Sequence, residues 1–129
     1  MDEQVHFDDQ LVVSELRRAG VPVESSQDLI AKRGPYPLAI PVLIEMLDII
    51  GTYAIKEIIV RALAVPEAKG KAEKTLIASF EASLHDSSVD AQAFRWAIAN
   101  TLEVLGGKSD VDALIRGDML IADKEAEPR

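Results

Sequence analysis

Cysteine is absent from the 129 residues, and with it go disulfides, thiolate nucleophiles and every thiolate-held zinc or iron–sulfur site. That absence fits a reducing compartment, and the expected localisation is cytoplasmic. No apolar run approaches the roughly 20 residues that span a bilayer, and no basic segment followed by an apolar one opens the chain. A protein that is neither membrane-bound nor exported is therefore expected. Alternating β-branched runs and Asn-Gly or Asp-Gly turns are missing, which argues against strands. The patterns H-E-x-x-H, G-x-S-x-G, G-x-G-x-x-G and the Walker loop do not occur, so the common hydrolase, phosphate and dinucleotide chemistries lack their minimal parts. Histidine appears only as His6 and His85. His6 sits in an acidic terminus, and His85 closes a predicted helix, where a partly positive ring offsets the negative dipole end. Asp8 with Asp9, and Asp110 with Asp112, lack the spaced oxygen ligands of a calcium loop and are explained as helix N-caps. No cofactor and no metal are expected.

What is present is apolar and helical. Apolar residues make up 48% and charged residues 28% of the chain, enough for one core and one domain. The net charge is −8, and it lies mostly at the ends. Residues 1–9 carry Asp2, Glu3, Asp8 and Asp9, while residues 118–129 carry four acids against Lys124 and Arg129. Acidic ends on a nearly balanced body read as solubilising tails. The expected organisation is a flexible acidic N-terminus over 1–8, one helical domain over 9–121 and a flexible acidic tail over 122–129. Lys69, Lys71 and Lys74 alternate with Glu67 and Glu73, which on a helix forms a solvated face.

Ser25 with Asp28, Ser87 with Asp90, and Ser109 with Asp112 each precede an apolar periodic stretch and resemble capping boxes. Thr52 and Asp8-Asp9 are further N-cap candidates, Pro37 and Pro66 suit first-turn positions, and Gly20, Gly34, Gly51 and Gly106-Gly107 mark ends. These marks predict helices near 9–19, 26–33, 37–50, 52–65, 67–84, 88–105 and 109–121. Their short links favour antiparallel hairpins. Ile55, Ile58, Ile59, Ala62 and Leu63 form one predicted core stripe, and Phe94, Ala97, Ile98, Thr101, Leu102 and Leu105 another. The segment 38–50 is apolar nearly all round and is expected to be the most enclosed helix, with Pro41 in its first turn. Tyr36, held between prolines, is expected to lie as a lid over the core.

An internal repeat underlies this punctuation. Leu43-Ile44, Leu76-Ile77 and Leu114-Ile115 recur at spacings of 33 and 38 residues. Lys56, Ile59, Leu63 and Val65 overlay Arg95, Ile98, Leu102 and Val104 at an offset of 39, so two helix types alternate as a two-helix repeat requires. The stretches IKEIIVRALAV and DAQAFRWAIANTLEVLGG resemble the first helix of bacterial HEAT-like repeats, and AIPVLIEML and VDALIRG resemble the second. The resemblance covers about residues 36–117. It implies an all-α fold, a short right-handed α-solenoid of about seven helices in antiparallel pairs, and it assigns Lys56 and Arg95 to bracing neighbouring repeats. Two departures are visible: the spacings are shorter than in eukaryotic units, and Lys56 stands where the family usually has arginine.

Trp96 projects away from the stripe containing Phe94 and Ile98, and forms a row with Asn100 and Glu103 at i, i+4 and i+7. Arg61 overlays Asn100 one repeat earlier. Large aromatics usually pack between repeats, and that is the placement expected of Trp96. The other reading makes Trp96, Arg61, Asn100 and Glu103 a partner-binding patch, since Trp and Arg are common interface anchors.

The leading expectation for function is a non-catalytic protein–protein interaction module whose partner is another protein. An alternative is an immunity or inhibitor protein that binds a toxin or enzyme. A third follows from resemblance alone, an enzyme related to the HEAT-like alkyl-base DNA glycosylases or bilin lyases. Few clustered cations disfavour nucleic acid, and 5% aromatic residues disfavour a chromophore pocket. The apolar residues Leu114, Ile115, Met119, Leu120 and Ile121 suggest a homodimer contact through the last helix.

Overall fold

The computed structural model describes residues 3–32 and 35–106, and every described regular element is helical. In chain order these are α1 (Glu3–Arg18), α2 (Asp28–Lys32), α3 (Ala39–Ile49), α4 (Tyr53–Ala62), a 3₁₀ turn (Pro66–Ala68), α5 (Glu73–Ala82) and α6 (Val89–Val104). The expected helix at 109–121, its Ser109–Asp112 cap, the third Leu-Ile pair, the acidic tail and the homodimer contact lie outside the described residues.

Helix α1 begins at Glu3, so most of the stretch expected as an acidic tail is helical. Asp8, expected as an N-cap of this helix, lies inside it at the head of a stripe with Val12 and Leu16, and is buried. Its carboxylate accepts from Thr52 N (3.1 Å) and Thr52 Oγ1 (2.9 Å), at the N-cap position of α4, and from Gln4 Nε2 at 2.9 Å. A carboxylate from α1 thus meets the positive end of α4. Asp9 accepts from the backbone and hydroxyl of Ser26 and ties α1 to the approach of α2. Gly20, at φ +93°, ends α1. Gly20 N donates to Arg17 O and Val21 N to Leu16 O, the paired closure that a left-handed residue permits at a helix end.

In the predicted box at Ser25 and Asp28, the Asp28 carboxylate accepts from Ser25 N and Ser25 Oγ, both at 3.1 Å. The box predicted at Ser87 is displaced by one residue. Ser88 is the N-cap of α6, and its hydroxyl accepts from Ala91 N at 3.1 Å, because only Ser88 lies three positions before that donor. The expected helix 67–84 is also broken. Gly70 takes φ +82°, a conformation costly for other residues, so Pro66–Ala68 forms a separate turn and α5 starts at Glu73. Lys69 and Lys71 are accordingly exposed in the segment between that turn and α5 rather than on one helical face with Lys74.

Pro41 is the third residue of α3, where no intrahelical N–H is lost. Helix α3 buries Ala39, Ile40, Leu43, Met46 and Leu47, while Leu38, its N-cap residue, and Ile49 are exposed beside Glu45 and Asp48 on an outer face. Val12, Leu16, Ile40, Leu43, Leu47, Ile59, Leu76, Phe94, Ile98 and Leu102 fill the core. Tyr36 is buried as a lid. Its hydroxyl donates to Ala62 O and its backbone N–H to Glu67 Oε2, both at 2.7 Å.

Packing runs between alternate as well as consecutive helices. Helix α1 contacts α3, α3 contacts α5, α2 contacts α4 and α4 contacts α6, the last being the most extensive pair. Thr101 Oγ1 donates to the buried Val60 carbonyl at 3.0 Å across it, and the rings of Tyr53 and Phe94 meet at 5.4 Å.

Candidate functional site

The seam between α4 and α6 opens to solvent as a groove of about 470 Å³ lined by Glu57, Arg61, Ala64, Ala93, Trp96, Ala97, Asn100, Thr101 and Val104. The sequence dictates its profile. Alanines at 64, 93 and 97 keep the floor low where the two helices meet, while Arg61 and Trp96 rise at its sides. Trp96 is 70% exposed, which corrects the expected placement between repeats. Its neighbours Phe94 and Arg95 take the inward positions, and the helical period carries Trp96 outward. Arg61 projects from α4 and pairs with Glu57 at 3.0 Å, one turn back on the same helix.

Three of the four residues read from the sequence as a patch, Arg61, Trp96 and Asn100, are therefore gathered around one groove. Glu103 is exposed on α6 but lies outside the lining. Glu57, Val104, Ala64 and Ala93 were not singled out from the sequence, and Ala97 and Thr101 were expected in a core stripe. The i, i+4 spacing of Glu57 and Arg61 was the available signal for the first.

A polar cluster lies on another side of α6. The Arg95 guanidinium is buried and donates to the carbonyls of Ser83 and Asp86, at the C-terminal end of α5. His85, expected to serve that helix end, is exposed; the buried guanidinium of Arg95 meets the Ser83 carbonyl instead. Lys56 places Nζ 5.7 Å from the Tyr53 ring centre and 5.4 Å from that of Phe94, and so touches both α4 and α6. Tyr53 donates its hydroxyl to Asp86 Oδ2 at 2.9 Å. Burial raises the Tyr53 hydroxyl above the usual tyrosine value, helped by the bond to Asp86 and its charge and opposed by Arg95. Asp86 is held below the usual carboxylate range by the Ser88 backbone and hydroxyl, then by Tyr53. The donors of Arg95 are spent on carbonyls at the end of α5 and that of Tyr53 on Asp86, a structural use of both.

A second depression, of about 490 Å³, is lined by Arg17, Gly20, Pro22, Val23 and Glu24. Arg17 Nε is engaged there by the Val23 carbonyl at 2.8 Å. Among the described residues no group of three or more His, Asp or Glu side chains is placed to hold a metal ion, and no helix is long and apolar enough to cross a membrane. No family model, curated protein or solved structure matches this chain.

Proposed function

We propose that this chain is a non-catalytic protein–protein interaction module, a short right-handed α-solenoid of HEAT-like helix pairs that receives a partner protein on the α4–α6 face. The observation that carries this reading is the exposure of Trp96 above a groove that also holds Arg61 and Asn100. A largely exposed tryptophan buries a large area when covered, and Trp and Arg are the residues most enriched at binding hot spots. The contacts between alternate helices support the repeat reading, since in a stack of two-helix units each helix meets its counterpart one unit on. Lys56 and Arg95, at equivalent positions in that reading, brace adjoining helices.

The test is a quantitative pull-down from a lysate of the source cells, comparing wild type with the Trp96→Ala, Arg61→Ala double variant by mass spectrometry. A partner enriched by wild type and lost by the variant is the expected result. Equal capture by both would remove the α4–α6 face from the reading, and no capture would remove the interaction function.

A further inference from the structure

We draw no further inference here: the strongest candidate, the groove between α4 and α6 beside Trp96, belongs to the site already described, and with its own charges cancelled between Glu57 and Arg61 nothing in the structure shows what covers it.

Discussion

Arg95 is a charged side chain only 8% exposed, and its position is tolerable because its donors meet the Ser83 and Asp86 carbonyls. Removing a buried charged donor leaves those acceptors without a partner. Arg95→Met is expected to destabilise the fold by about 3 kcal/mol in urea denaturation, whereas Lys56→Met, which loses only ring contacts, costs about 0.5–1 kcal/mol. Equal costs would show that Arg95 does not hold the α5 end. Tyr36 is the second residue whose burial has a measurable consequence. Burial, followed by the charge of Glu67, raises its hydroxyl above the usual tyrosine value, so the folded state favours the protonated form. That contribution is full below the ordinary tyrosine pKa and is lost as pH rises through the higher folded value. Tyr36→Phe should cost about 1–2 kcal/mol at neutral pH, by orphaning the Ala62 carbonyl, and should make the alkaline fall in stability shallower. Urea midpoints measured from neutral to strongly alkaline pH check both parts, and an unchanged alkaline slope would contradict the burial argument.

Helix boundaries here depend on single polar contacts, and these are separable by substitution. Ser88 accepts from Ala91 N, whereas Ser87 offers only its backbone carbonyl, to Gln92 Nε2. Ser88→Ala should cost about 1 kcal/mol and Ser87→Ala no more than a few tenths; the reverse order would move the start of α6. Asp8 links two elements, since its carboxylate sits at the N-cap of α4 while its backbone belongs to α1. Asp8→Ala is expected to lower stability by about 1–3 kcal/mol and to speed amide exchange in the first turn of α4. Faster exchange confined to α1 would mean that the bridge to Thr52 carries no weight. The separation of the Pro66–Ala68 turn from α5 has a similar local origin, in the left-handed Gly70 and the bond from its N–H to Glu73 Oε2 at 2.9 Å.

Among the described residues most large apolar side chains fill a core shared by the major helices, while an exposed set includes Phe7, Leu38, Ile49 and, on α6, Val89, Trp96 and Val104. The single tryptophan belongs to the exposed set, so its emission reports on the outer face of α6 alone. In the isolated protein Trp96 should emit near the wavelength of exposed indole, be readily quenched by acrylamide, and shift little on unfolding. Strongly blue-shifted, protected emission at working concentration would show the α4–α6 face covered before any partner is added.

Helical class, the inward stripe from Phe94 to Leu105 and Tyr36 as a lid were legible in the chain, because period and proline geometry act over a few residues; the N-cap position of Thr52 was legible too, but its hydroxyl bonds Asp8 and not the α4 backbone. The end of α1 at Gly20 was legible for the same reason, since a left-handed cap needs only its own turn. The true start of that helix was not: Asp8 reads as an exposed acid until Thr52, 44 positions on, supplies its partner. Nor could the chain show that Arg95 rather than His85 meets the end of α5, or that Trp96 faces water. Both depend on which helix lies beside α6, a relation set by packing between segments distant in sequence. Periodicity assigns a residue to a face of its own helix; only the neighbouring helix decides whether that face is core, seam or open surface.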